Sequence, residues 1–137
     1  MAHRLDERTL VAGQIAPQDV AALKGEGVTM IVNNRPDGED PGQPTSAEIE
    51  QAARMAGIDY RHVPISRGIG PADVEAMRAA IHDTGQGQLL AFCRSGTRSA
   101  LTWAVARNED GIGRDALGRC LRDAGFDVDP VLHLLRH

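Results

Sequence analysis

The sequence has no hydrophobic run approaching the ~20 residues that a membrane-spanning helix needs. Residues 1–8 are polar and charged, so the chain starts without an apolar signal segment. It has no block of basic residues, and its net charge is −4. We therefore expect neither a membrane nor a nucleic acid as a partner. Cys93 and Cys120 are the only two cysteines. Without an export signal, this favours reduced thiols and a cytoplasmic location.

A metal site is also not predicted. The histidines lack the short, regular spacing that metal ligands usually show. They are His3, His62, His82, His133 and His137. No other motif indicates a cofactor. With 137 residues, of which 42% are hydrophobic, the chain is predicted to form one domain spanning residues 1–137.

The chain is organised around the stretch from Leu89 to Ser99. An apolar strand over residues 88–92 leads to Cys93, then to a small-residue loop, then to an apolar helix over residues 97–108. The first turn of such a helix has unpaired N–H groups and the positive end of the helix dipole, which together bind anions. With Arg94 and Arg98 beside it, Cys93 is predicted to be a reactive thiolate rather than a buried structural cysteine. The predicted anion-binding loop also contains Ser95, Gly96, Thr97 and Ser99.

The spacing of this loop is Cys-x4-Arg, from Cys93 to Arg98. Cysteine phosphatases have Cys-x5-Arg, whereas Cys-Arg-Ser-Gly-x-Arg-Ser resembles the loop of rhodanese sulfurtransferases. Removing one residue removes one N–H donor and about 3.3–3.6 Å of chain. The smaller loop favours a persulfide over a phosphoryl group, although Arg98-Ser99 still resembles the end of a phosphatase loop.

Strands alternate with helices along the chain, which predicts a mostly parallel sheet covered by helices. Strands are expected at residues 10–15, 28–32, 58–65 and 88–92, and helices at 18–24, 45–56, from 71, 97–108, 115–123 and 130–135. In such sheets, ligands bind beyond the carboxyl ends of the strands. The loops after Val32 and Ile65 should therefore lie beside Cys93. They would bring Arg35, Asp37 and Arg67 close to the anion-binding loop, with Arg35 and Arg67 at its rim.

Several segments together resemble one family, the phosphatase-like domain of bacterial beta-lactamase-hydrolase-like proteins. The similar segments are residues 12–17, 31–39, 63–65, 93–99 and 124–127. The resemblance implies a dual-specificity-phosphatase-like fold, with a rhodanese-like fold as the runner-up. It implies that Cys93 is the nucleophile and that Arg98 binds the anion. Because such domains are also fused to other modules, it implies a persulfide dioxygenase or metallo-hydrolase as a partner.

One departure bears on the reaction. Cysteine phosphatases usually carry an aspartate general acid on the loop after the Pro64 strand, but this chain has Ser66 there. Asp37 is a candidate replacement, although Pro-Asp-Gly is also an ordinary turn. Proton donation to the leaving group typically contributes ~10²–10⁴-fold to rate. Transfer of sulfur between thiolates needs no such acid.

The sequence therefore favours a cysteine enzyme that transfers sulfane sulfur through a Cys93 persulfide. Its substrate would be a small anionic sulfur donor, such as thiosulfate or glutathione persulfide. The alternative is hydrolysis of a phosphorylated substrate through a phosphocysteine, as in protein tyrosine and dual-specificity phosphatases. A third reading is an inactive module that binds an anion or a partner.

Overall fold

The computed structural model describes residues 2–137 as a five-stranded sheet with helices on both faces. The strands are β1 (Ala2–Asp6), β2 (Thr9–Ala12), β3 (Val28–Asn33), β4 (Asp59–His62) and β5 (Gln88–Phe92). Their order in the sheet is β1-β2-β5-β3-β4. Only β1 runs antiparallel to its neighbour among these strands, while the other three pairings are parallel. The mostly parallel α/β sheet predicted from the sequence is confirmed.

Five α-helices and two 3-10 helices accompany the strands within residues 2–137. The α-helices are α1 (Val20–Gly25), α2 (Ser46–Ala56), α3 (Pro71–Thr84), α4 (Thr97–Glu109) and α5 (Arg114–Asp123). The 3-10 helices span Pro17–Asp19 and Asp129–Leu134. Residues of α1 and α2 pack on one face of the sheet, and residues of α3, α4 and α5 pack on the other.

The central strand β5 shows why its sequence is apolar without alternation. Leu89 and Ala91 belong to the core on the α3–α5 face, whereas Leu90 and Phe92 belong to the core on the α1–α2 face. Every side chain from Leu89 to Phe92 is thus buried, as expected for a parallel strand covered on both faces.

The structure differs from the sequence-based prediction at several elements. The strand predicted over residues 10–15 is β2, which ends at Ala12, and the helix predicted over residues 18–24 is divided between the 3-10 helix Pro17–Asp19 and α1. Strand β1 was not predicted, because Leu5 is its only buried residue and the strand shows no apolar alternation. The strand predicted over residues 58–65 is limited to β4. The helix predicted over residues 130–135 is the 3-10 helix Asp129–Leu134.

The strand register brings four loops to one edge of the sheet. Phe92, the last residue of β5, pairs with Ala12 of β2 and with Asn33 of β3. Asn33 in turn pairs with His62, the last residue of β4. The residues that follow these strand ends therefore lie side by side, and Cys93 is the first residue of the central loop. No helix within residues 2–137 is long and apolar enough to cross a membrane.

Candidate active site

Cys93 lies at the base of the loop between β5 and α4. It is fully buried, and its Sγ accepts a hydrogen bond of 3.1 Å from the backbone N–H of Gly96. Gly96 has a φ of +93°, a conformation that glycine adopts readily and that turns the chain into α4. The Gly96 N–H thus fixes the Cys93 sulfur at the base of the anion-binding loop.

The N-terminus of α4 provides the anion-binding element predicted from the sequence. Gly96 is its N-cap and has no side chain with which to cap the helix. The first-turn N–H groups, beginning with Thr97, are consequently left for a ligand. The exposed Ser95 hydroxyl donates to the Thr97 hydroxyl at 3.3 Å, which joins two more polar groups at the outer side of the loop.

The guanidinium of Arg98 donates hydrogen bonds to one carboxylate and to one backbone carbonyl. Its Nη1 donates to Glu39 Oε2 at 2.7 Å and to the Ile65 carbonyl at 2.8 Å. Its Nη2 donates to Glu39 Oε1 at 2.9 Å. These bonds use three of the five N–H groups of the guanidinium. Those that remain, one on Nε and one on Nη2, share one edge and suit bidentate contact with an oxyanion.

Glu39 is the main charge partner of Arg98. The hydrogen bond from Arg98 and the further bond from Arg35 lower the pKa of Glu39 from 4.5 to about 2, although partial burial opposes them. The Glu39 hydrogen bond raises the pKa of Arg98, with a further contribution from the nearby Cys93 sulfur. Glu39 is thus a fixed anion at neutral pH, and it cannot serve as a proton donor there.

Arg35 lies inside the protein rather than at the rim predicted from the sequence. Its side chain is only 4% exposed. It donates to Glu39 Oε1 at 2.9 Å, to Gln14 Oε1 at 3.0 Å and to Asp40 Oδ2 at 2.6 Å. A buried guanidinium needs such partners, because an unpaired buried charge is strongly unfavourable. Arg35 therefore holds Glu39 in place and does not reach substrate.

Arg94 has the opposite environment. Its side chain is 69% exposed, and its only ion pair among the described residues is a 3.6 Å contact with Asp40. The structure thus places Arg98, and not Arg94, in the tightly held network around the cysteine loop. Arg94 lies at the outer rim, where it can meet solvent or a large substrate.

Two neighbouring loops brace the cysteine loop. Asn34 is fully buried, donates to the Val63 carbonyl at 2.9 Å and accepts a 2.8 Å bond from the Ser99 hydroxyl. On the other side, the Gln14 N–H donates to the Arg94 carbonyl at 3.3 Å. A Cβ on Gly13 would stand 3.0 Å from that same carbonyl oxygen, so the approach requires glycine. Ser99 was predicted as an anion ligand, but its hydroxyl proton is used on Asn34.

Sequence analysis did not identify the roles of Gln14, Asn34, Glu39 and Asp40. The separation of Arg35 and Glu39 by four positions was the one available signal for their pairing. It is weak, because this segment is a loop and the spacing rule applies to helices. The pairing depends on the path of residues 34–44, which local sequence does not specify.

The side chain of Asp37 is bonded to the start of a helix. Its Oδ1 accepts a 2.8 Å hydrogen bond from the Ser46 N–H at the start of α2. No hydrogen bond or ion pair in the described part of the chain joins Asp37 to the cysteine loop. Asp37 therefore stabilises the first turn of α2, and the prediction of a catalytic role gains no support from its contacts.

A cleft of about 660 Å³ opens beside Arg98. One wall is the loop after β4, with the exposed Arg67, and another is the 3-10 helix Asp129–Leu134. Asp73 and His133 also line the cleft. Three buried apolar residues complete this lining, namely Ile65, Leu101 and Val131. Arg67 and Arg98 thus line one cleft, whereas the sequence predicted Arg67 at the rim of the anion-binding loop.

The fold and the Cys93 loop define a cysteine-based, phosphatase-like protein. A Neisseria meningitidis protein, provisionally described as a phosphatase, superposes with a TM-score of 0.77 and 34% identity, covering 94% of this chain and 92% of its own. Tk-PTP in its active form superposes with a TM-score of 0.72 at 20% identity, covering 93% and 87% of the two chains. Kinase-associated phosphatase superposes with a TM-score of 0.68 at 19% identity, covering 90% of this chain and 82% of its own. The last two likenesses concern the fold alone.

The chain belongs to the family described as "Beta-lactamase hydrolase-like protein, phosphatase-like domain", which matches residues 3–109. Beta-lactamase hydrolase-like proteins of Agrobacterium fabrum and Xylella fastidiosa are each 36% identical to it, over 91% and 96% of this chain. The chain spans only 29% and 31% of the length of these relatives.

These comparisons confirm the family resemblance and the dual-specificity-phosphatase-like fold predicted from the sequence. They fit the phosphatase alternative better than the sulfur-transfer reading. A rhodanese-type loop is not supported by them. The choice between the two reactions therefore rests on the chemistry of the site.

Proposed function

We propose that this chain hydrolyses a phosphomonoester through a phosphocysteine at Cys93. The observation that carries the proposal is the arrangement of donors around the sulfur. Gly96 N–H holds Cys93 Sγ, the N-terminus of α4 is uncapped, and one edge of Arg98 is unused in the described structure. Together these groups suit an oxyanion placed directly over a nucleophilic sulfur.

The reaction follows in two displacements. The Cys93 thiolate attacks phosphorus, the bond from phosphorus to the ester oxygen breaks, and the departing oxygen takes up a proton and leaves as the alcohol. Water then attacks phosphorus and gives up a proton, which balances the proton taken up in the first step. The P–S bond breaks, and inorganic phosphate leaves with the thiolate restored. The free edge of Arg98 and the N–H groups of α4 would stabilise the equatorial oxygens in both steps. Glu39 contributes by orienting Arg98. The bonds of Arg98 to Glu39 and to the Ile65 carbonyl leave only the edge with Nε and Nη2 free for the phosphate.

The test is hydrolysis of p-nitrophenyl phosphate by the wild type and by Cys93→Ser. We expect turnover by the wild type only, and a mass increase of one phosphoryl group on Cys93 in acid-quenched samples. Cys120→Ser is the matched control, because burial raises the pKa of the Cys120 thiol and it lies on α5, away from the loop. Turnover that survives in Cys93→Ser would contradict the proposal.

Sulfur transfer is the second candidate, and two features favour it. The Cys-x4-Arg loop offers one N–H fewer than a phosphatase loop, and Ser66 stands where an aspartic acid is expected. Both deficits affect phosphoryl transfer more than attack on a sulfur whose leaving group is a stable anion. In that reaction, Cys93 Sγ would attack the sulfane sulfur of thiosulfate and release sulfite.

Intact mass after addition of thiosulfate distinguishes the candidates. A gain of one sulfur on Cys93, with cyanide converted to thiocyanate, would establish sulfur transfer. A phosphoryl adduct without a persulfide would establish hydrolysis. The absence of both adducts would indicate an anion-binding or partner-binding module. A persulfide dioxygenase or metallo-hydrolase partner and a cytoplasmic location stay predictions from the sequence.

A further inference from the structure

The cleft beside Arg98 is completed by a part of the chain that the family match does not reach. The match ends at residue 109, whereas the 3-10 helix that forms one wall spans Asp129–Leu134. Pro130 and Val131 contribute apolar lining, and the exposed His133 faces the same cleft as Arg98. Arg98, which would bind the phosphate in the proposed reaction, lines this cleft of about 660 Å³, so the cleft is the nearby space for the leaving group.

A proton donor for that leaving group is missing among the nearby carboxyl groups. Glu39 is held as an anion by Arg98 and Arg35, and Asp40 accepts from Arg35 at 2.6 Å. Asp37 accepts from the Ser46 N–H. Asp73 lines the cleft, but its Oδ2 accepts the Gly70 N–H at 2.9 Å and so caps α3. All four are engaged in holding the structure.

His133 is different from these groups. Its side chain is exposed and lines the cleft. An imidazole can both give and take a proton near neutral pH, and it commonly acts as a general acid or base in enzymes. It is also the only histidine among the residues lining this cleft.

We propose that His133 is the general acid and base of the phosphatase reaction, an inference that rests on the proposed function. As Cys93 Sγ bonds to phosphorus and the ester P–O bond breaks, a ring N–H of His133 gives its proton to the departing oxygen, which leaves as an alcohol or phenol. The neutral imidazole then takes a proton from the water that attacks the phosphocysteine. The P–S bond breaks, phosphate leaves, and the imidazolium is restored.

The test compares His133→Asn with the wild type on two substrates. p-Nitrophenyl phosphate releases a stable anion and needs no acid, whereas phenyl phosphate releases a basic phenoxide. We expect His133→Asn to lower kcat/KM for phenyl phosphate by roughly 10²-fold or more, the usual contribution of a general acid. For p-nitrophenyl phosphate we expect kcat/KM to change by less than about tenfold. The comparison uses kcat/KM because it reports formation of the phosphocysteine, whereas hydrolysis of the phosphocysteine is common to both substrates. His137→Asn, outside the cleft lining, should match the wild type on both substrates.

The outcomes separate the two proposals. An equal loss on both substrates, or no loss on either, would overturn the role of His133 while leaving hydrolysis at Cys93 intact. Failure of the wild type to hydrolyse p-nitrophenyl phosphate would overturn the proposed function and this inference with it. Retained p-nitrophenyl phosphate turnover in His133→Asn also shows that the variant is folded.

Discussion

Arg98 shows at the residue scale how a single side chain can be both anchored and available. The bidentate bond to Glu39 and the bond to the Ile65 carbonyl orient the guanidinium. Because Arg keeps its charge and its planar fork, anchoring one edge leaves the other correctly placed for a ligand. A lysine has a single ammonium and cannot hold Glu39 in this way while presenting two parallel donors.

We therefore predict that Arg98→Lys weakens phosphate or sulfate binding by at least about tenfold. Loss of one hydrogen bond to a charged group costs about 1.5–3 kcal/mol, and 1.4 kcal/mol corresponds to a factor of ten. Isothermal titration with phosphate provides the measurement. Arg54→Lys is the control, because Arg54 is exposed on α2 and pairs only with Glu50 among the described residues. If Arg94→Lys loses binding while Arg98→Lys does not, the two arginines have the opposite roles.

At the scale of elements, the turn from β5 into α4 determines whether the site forms. Gly96 has a positive φ there, and its N–H is the donor to Cys93 Sγ. Gly111, just after α4, has a φ of +102° with open space around it. Two glycines thus have similar backbone conformations at opposite ends of one helix, and only one of them contacts the nucleophile.

Gly96→Ala and Gly111→Ala form a matched pair for this turn. A left-handed conformation costs a non-glycine residue roughly 1–2 kcal/mol, so both variants should lose comparable unfolding free energy in urea. Only Gly96→Ala should also lose turnover, because the backbone strain would act on the N–H that donates to Cys93 Sγ. Equal loss of turnover in both variants would mean that the geometry of this turn is not specific to the site.

At the scale of the whole molecule, one ion-pair network joins three parts of the chain. Glu39 and Asp40 come from the loop after β3, Arg98 from α4 and Arg94 from the cysteine loop. Arg35, buried beneath them, completes the network. The network ties the loop that covers the site to the helix that forms it, so its charge state should influence global stability.

Glu39→Gln is predicted to make stability less sensitive to acid. The pKa of Glu39 is about 2 when folded, below its ordinary 4.5. A depressed pKa contributes stability that is fully present above the unfolded value and is lost as pH falls through the folded value. The difference in unfolding free energy between the wild type and Glu39→Gln should therefore shrink as pH falls from 4.5 towards 2.

Urea unfolding at a series of pH values measures this difference. Glu50→Gln serves as the control, since its exposed pair with Arg54 belongs to a class that contributes about 0–1 kcal/mol. A difference between the wild type and Glu39→Gln that stays constant through this pH range would show that the carboxylate of Glu39 does not stabilise the fold.

Local signals in the sequence determined the elements that depend on neighbouring residues. Thr45 and Glu48 form the predicted capping box at the start of α2, with the Glu48 N–H bonded to Thr45 Oγ1 at 3.2 Å. The apolar run before Cys93 forms β5 over the predicted residues 88–92. Cys93, Gly96 and Arg98 lie within six consecutive residues, so their proximity follows from covalent connection.

The tertiary structure decided what depends on distant parts of the chain. Strand β1 exists because it pairs with β2, and its own sequence has no apolar alternation to reveal it. Arg35 is buried, and Asp37 caps α2, because the path of residues 34–44 is determined by packing across the sheet edge. His133 and Arg98 line the same cleft, although 35 positions separate them in the sequence. Periodicity and spacing in the sequence indicate only local geometry. The proximity of residues that are distant in the sequence is therefore determined by the tertiary structure.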